Sequence, residues 1–157
     1  MSTADWLLML HVTAAFLLVG GSVVAGTLNV LAIRSEHPSD AALLLGLIKR
    51  ALPVIFAGVA GTFIFGIWLW HEKGYSFSSG WIWAALVFWV IASALGGRGG
   101  RSQAHVREIA ERDAAAGDTM SGELRAMLRD PKALAFYYGA GVATIAVLLL
   151  MIWKPGA

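Results

Sequence analysis

A four-helix transmembrane bundle, all-α, with both termini outside and amphipathic helices in the inner loops, is the fold class the sequence predicts. Three observations predict it. Of 157 residues, 58% are hydrophobic and only 14% are charged, whereas a soluble domain carries roughly 25% charge. The apolar residues gather in four long blocks. The basic residues between those blocks fall almost entirely on one side.

The blocks are residues 6–33, 52–70, 81–97 and 133–153, and together they make one membrane domain spanning residues 1–157. Each reaches or approaches the roughly 20 residues that cross a hydrocarbon core of ~30 Å. The first is long enough to tilt or to project beyond the membrane. It starts without a basic n-region or a small-residue cleavage site, so it is expected to stay in the mature chain. Between the first and second spans, His37-Pro38-Ser39-Asp40 reads as a helix start, and Pro53 is expected to kink the second span at its entry. After the third span, GGRGGR at residues 96–101 reads as a flexible hinge opening the basic inner loop 98–132. Within that loop, Ser102 is positioned to cap a helix reaching about Ala116, with Glu108 and Arg112 paired four residues apart. Asp130-Pro131 reads as the N-cap and first residue of the fourth span.

Charge and tryptophan placement orient the bundle. Arg34, Lys49 and Arg50 lie between spans one and two, and seven further basic residues between spans three and four; only Lys73 and Lys154 lie opposite. The positive-inside rule therefore places both termini outside. Trp6, Trp68, Trp70, Trp81, Trp83 and Trp153 all fall at the expected outer ends, where amphipathic rings favour the interface. The expected setting is a bacterial-type inner (plasma) membrane. The net charge is +2, with the basic residues flanking apolar spans, which points to the lipid bilayer as partner and away from nucleic acid. Cysteine is absent, which removes disulfides, thiolate metal sites and cysteine nucleophiles. Inside lipid, helices associate through small residues. Gly58 and Thr62, Ala92 and Gly96, and Ala135, Gly139 and Ala143 supply them.

Chemistry is confined to few residues. His11 lies within the first span, on a face continued by Ala15, Leu18, Ser22, Ala25 and Asn29, a small or polar stripe expected to face the bundle. Ionisable groups within spans usually point inward and often mark function. The alternative is a neutral imidazole bonded across helices or solvated from outside. His71, Glu72 and Lys73 end the second span on the same side. Two histidines from neighbouring helices fit axial ligation of haem iron or coordination of a metal ion, and Lys73 fits a haem propionate. The alternative is a solvated helix end. At ~1.5 Å per residue, His11 lies about a turn deeper than His71, a mismatch that a single-histidine site avoids. His37 and His105 belong to the opposite side and read as surface residues. Met9 and Met151 admit a His/Met copper site, without a repeated methionine motif to support it. No pair of intramembrane carboxylates, nucleophile elbow, HExxH or dinucleotide fingerprint is present.

The stretch WLLMLHVTAAFLLVGG, followed by LNVLAIR, carries a resemblance. A histidine near the start of the first span, a Gly-Gly pair nine residues on and a closing arginine resemble the DUF2269-type predicted integral membrane proteins. The pattern is also similar, more distantly, to the membrane domain of copper resistance protein D and to four-helix membrane protoporphyrinogen oxidase. The resemblance implies a four-helix bundle holding a b-type haem or related tetrapyrrole, with His11 at the matching ligand position. The third span carries no charge, unlike that of the oxidase family, so protoporphyrinogen oxidation is not expected. The leading expectation is a b-type haem-binding protein with an electron-transfer or haem-handling role. His11 and His71 are its candidate ligands, Lys73 is a further cofactor contact, and a redox partner or homo-oligomer is its expected company. The alternatives are a non-enzymatic scaffold or accessory subunit, and a copper or metal-ion handling protein.

Overall fold

The computed structural model describes residues 2–75 and 79–155. Five helices follow in order: α1 (Thr3–Arg34), α2 (Pro38–Lys73), α3 (Gly80–Ala115), α4 (Gly122–Leu128) and α5 (Pro131–Trp153). Helices α1, α2 and α3 are long and apolar enough to cross a membrane, as is the stretch Gly122–Trp153 that contains α5. The helices alternate in direction, which gathers Trp6, Trp70, Trp81 and Trp153 at one end of the bundle. That end is called the tryptophan end below, and the opposite one the basic end.

The helix boundaries follow from local chemistry. Ser2 and Asp5 form a reciprocal capping box on α1, with Asp5 N–H donating to Ser2 Oγ at 3.2 Å and Ser2 N–H to Asp5 Oδ2 at 2.8 Å. Pro38 opens α2, and Gly74 ends it in the left-handed region at φ 63°, a conformation glycine adopts without steric cost. Asp130 caps α5 by accepting from Lys132 N–H at 3.2 Å and Ala133 N–H at 3.1 Å. Both expected helix starts, at Pro38 and at Pro131, are therefore present.

Three expectations about the basic loop change. GGRGGR is helical, not a hinge, and α3 passes through it without interruption from Gly80 to Ala115. Ser102 accordingly lies inside a helix and caps nothing. At Gly99 α5 lies against this stretch at ordinary contact distance: a Cβ there would stand 3.7 Å from the Tyr137 backbone nitrogen, while one at Gly97 or Gly100 would meet nothing within 4 Å. Helical backbone hydrogen bonds also meet little competition where water is scarce. Arg112 pairs with Glu123 at 2.7 Å and Asp113 at 3.2 Å, not with Glu108, because the chain folds α4 back onto the end of α3. Glu108 instead lies 3.9 Å from His105.

Close backbone approach joins α1 to α2. A Cβ at Gly58 would meet Leu18 N at 2.5 Å and Ala14 O at 2.9 Å, and one at Gly61 would meet Ala14 Cβ at 2.7 Å. Small residues let helices approach this closely where lipid removes the hydrophobic drive for association. The α3–α5 contact is looser, with Gly139 facing Leu95 and Gly96 facing Ala140. The largest buried cluster lies at the basic end. There Ala32, Ala41, Leu45, Ile48, Val106 and Ile109 pack beneath Leu124 and Leu128 of α4.

Candidate functional site

The α1 stripe faces the bundle as its spacing predicts: Ala25 is 3% exposed and Asn29 7%, and Ser22, Leu18, Ala15 and His11 above them are half-buried. His11 reaches α2 at Gly66. A Cβ on Gly66 would stand 3.0 Å from His11 Cε1 and 3.2 Å from Nδ1, so any side chain there would have to push the ring back by a few tenths of an ångström. Nδ1 is buried without a hydrogen bond of standard geometry, while the ring interacts electrostatically with the Thr62 backbone. Thr62 and Gly66 stand one turn apart on α2, so the covered edge of the imidazole is turned toward α2 backbone. Gly66 was not among the residues singled out from sequence. Its spacing of eight from Gly58, on a helix that also carries Gly61, is the signal that marks the contact face.

The remaining candidates divide around α2. Lys73 is seven residues beyond Gly66, about two turns and ~10 Å along the axis, and returns to nearly the same helical face. Its charge acts weakly on Asp5 of α1, at the same end of the bundle. His71 is five residues beyond Gly66, about 7.5 Å along the axis and rotated by about 140°, and it is exposed. The structure thus brings His11 and Lys73 onto one α1–α2 face and puts His71 on another. Among the described residues, no group of three or more His, Asp or Glu side chains is placed to hold a metal ion.

Aromatic rings enclose this end. Trp89 of α3 stacks on Phe63 of α2 at 4.7 Å between ring centres, one turn along α2 from Gly66. Its Nε1 is buried without a hydrogen-bond partner among the described residues, as is that of Trp81, which is 6% exposed. Trp70 donates its Nε1–H to the Tyr75 carbonyl at 2.9 Å, and Tyr75 meets Trp81 edge-on at 5.6 Å. Lys154, just beyond α5, lies 5.6 Å from the Tyr75 ring centre and 5.9 Å from that of Trp81. This cation–π contact ties the end of α5 to the α2–α3 connection.

At the basic end the polar groups are partnered. Gln103 Nε2 donates to Asn29 Oδ1 at 3.0 Å, joining α3 to α1, and Tyr137 O–H donates to the Ser22 carbonyl at 3.4 Å. Asp118, at φ 54°, reaches the start of α2, accepting from Ser39 N–H and Ser39 Oγ–H at 2.8 Å each. It supplies the anion that a helix N-terminus favours and that His37, the residue at the cap position, does not. These two bonds hold the Asp118 carboxyl below the ordinary carboxylate range. His37 and His105 are exposed surface residues, as expected from sequence.

No curated protein and no solved structure matches the chain, so the distant likenesses to copper resistance protein D and to the oxidase remain expectations. The family of predicted integral membrane proteins DUF2269 matches residues 5–155. That match runs from Asp5, in the first turn of α1, through the basic loop and into the residues beyond α5. By it, the chain belongs to the DUF2269 family of predicted integral membrane proteins.

Proposed function

We propose that the protein binds a b-type haem near its tryptophan end, in an electron-transfer or haem-handling role, through His11 alone. The observation that supports this reading is the setting of the His11 ring, with Nδ1 covered by α2 at Gly66 and the other ring nitrogen left to ligate. Metal-bound imidazoles commonly turn their second nitrogen to a backbone carbonyl or carboxylate, which fixes ring orientation. Lys73, on the same α2 face, offers a charged partner for a propionate. Haem, when bound, supplies one-electron chemistry at a potential tuned by ligand and burial. His71, on another flank of α2, would not be needed to hold it. The positive-inside rule puts the tryptophan end outside a bacterial plasma membrane, where a redox partner or a second copy would meet the haem.

The test is spectroscopic. Protein purified in mild detergent from haem-replete cells should show a Soret band and sharpened bands on reduction. His11→Ala should abolish them, and His71→Ala should leave them. Loss of the spectrum in His71→Ala would restore the two-ligand site. A colourless wild-type protein that takes up no added haemin would overturn the proposal.

A second reading is a non-enzymatic scaffold or accessory subunit. It is favoured by the basic end, where α4 and the extensions of α2 and α3 build a packed cap that the spans themselves do not need. Under it, His11→Ala causes only a small packing defect. Copper or another metal ion bound at His11 would appear in elemental analysis of the colourless protein.

A further inference from the structure

Helices α1 and α5 are joined in the basic half of the bundle and parted toward the tryptophan end. α1 packs along α2, and α5 along α3, but α1 and α5 scarcely approach each other. Tyr137 bridges them: its O–H donates to the Ser22 carbonyl at 3.4 Å, and its ring lies beside Gly26. Steps of seven residues, about two helical turns, return to nearly the same face. From Ser22 they lead to Ala15 and Leu8, and from Gly26 to Val19 and Val12. Ser22, Gly26, Ala15 and Val19 are half-buried, whereas Leu8 is 45% and Val12 42% exposed. This face of α1 thus loses its cover toward the tryptophan end. Opposite it, Gly141 of α5 stands one turn above Tyr137; it is exposed, and a Cβ there would meet nothing within 4 Å. Lys154 holds the end of α5 against Tyr75 and Trp81, on the α2–α3 side and away from α1.

We propose that this slot between α1 and α5 is where a tetrapyrrole enters from the lipid and lies, with His11 at its back and Tyr137 as its floor. The inference rests on the haem reading of His11 and adds the seat and the side of entry. His11 is one turn from Ala15, between that face and the one that carries Ala14 and Leu18 against Gly58. Its Nδ1 edge is held at Gly66 of α2, which leaves Nε2 for the slot. Leu8, Val12, Ala15, Gly141 and Leu148 offer no charge and no hydrogen-bonding side chain, and Thr144 bonds back to the Ala140 carbonyl at 2.9 Å. Such walls suit a flat apolar ring, and a hydrated ion gains nothing from them. From Leu8 to Ser22 the slot runs ~21 Å along α1, more than half of a ~30 Å hydrocarbon core, so it opens on acyl chains.

The test uses the full-length protein and two readouts. Ala15→Phe and Gly141→Phe each place a ring in the slot. In haem-free protein in detergent, both should unfold at or above the wild-type Tm, because the rings enter open space and glycine is a poor helix former. A clear fall in Tm, as overpacking produces, would show α1 and α5 in contact there and overturn the slot whether or not haem binds. Haemin carried in phosphatidylcholine vesicles is then offered to each protein and its uptake followed by the Soret band. Wild type and Val142→Phe, at a position of α5 that is 67% exposed, should take it up. The two slot variants should bind it about tenfold or more weakly with His11 intact. Undiminished uptake by them would overturn the seat and leave the haem reading standing. A wild type that takes up no haemin would overturn the haem reading and this occupant together, with the Tm values still deciding the slot.

Discussion

The two ends of the bundle treat buried polar groups in opposite ways. At the basic end Asn29 and Asp113 are the buried polar side chains, and both are bonded, Asn29 to Gln103 and Asp113 to Ser121 N–H and Arg112. At the tryptophan end, His11 Nδ1, Trp81 Nε1 and Trp89 Nε1 are buried without a hydrogen bond of standard geometry among the described residues. An unmade hydrogen bond in a low-dielectric interior costs about 1–3 kcal/mol, so a region that keeps three such groups gives up stability that the other end retains. Native proteins leave few buried polar groups unsatisfied, and those that persist ask for an explanation. The difference teaches where to look for function. One end is built as a folded cap, and the other keeps donors and a ligand nitrogen in reserve.

The contrast breaks most severely where the helices touch backbone to backbone. Gly58→Ala drives a methyl group into the α1 main chain, which has no side chain to move aside. Overpacking of this kind costs about 1–3 kcal/mol and more where the backbone must shift. Thermal unfolding in detergent should show a large drop in Tm, and a wild-type Tm would mean that α1 and α2 do not meet as described. Next in size is Leu124→Ala in the basic-end core, where Leu124 is 0% exposed. The transfer and cavity terms together amount to about 3 kcal/mol. The same truncation at Ile152, 75% exposed near the tryptophan end, removes little packing between helices and should leave Tm near the wild-type value. That pair of variants reads the comparison directly, and equal losses at the two sites would erase it.

A smaller effect comes from Asp118. Its carboxyl lies below the ordinary value of 3.8 because two bonds to Ser39 favour the ionised form. A group with a depressed folded pKa stabilises fully above the unfolded value and loses that contribution as pH falls through the folded one. Tm should therefore decline as pH drops below about 4, and Asp118→Asn should flatten that part of the profile. An unchanged profile in the variant would mean that the cap on α2 carries no ionic component. The smallest expected effect is His105→Ala, an exposed ring whose carboxylate neighbour is equally exposed; it should leave both stability and any haem spectrum unchanged, since surface pairs contribute little.

Much of this architecture was legible in the residues. Four apolar blocks name four spans, since lipid offers no partner to an unpaired backbone and only a continuous helix satisfies itself there. Pro38, Gly74 and Asp130-Pro131 mark ends because their effect on backbone dihedrals and terminal N–H groups is local. The stripe from His11 to Asn29 announces its inward face through spacing alone. GGRGGR differs from the hinge that its composition suggests because glycine content reports local permissiveness, whereas α3 runs on through it and packs on Tyr137, nearly forty residues away in the chain.

The candidate site divides along the same line. The sequence by itself determined that His11, His71 and Lys73 belong to one end of the molecule, because hydropathy and helix direction fix depth to within a turn. Only the tertiary structure decided that Lys73 shares the His11 face while His71 does not, that Gly66 receives the imidazole, and that Asp118 caps a helix it does not belong to. Those outcomes depend on the rotation of one helix against another. Rotation is set by which small residues permit close approach, and that is a property of two surfaces together, absent from either strand of sequence alone.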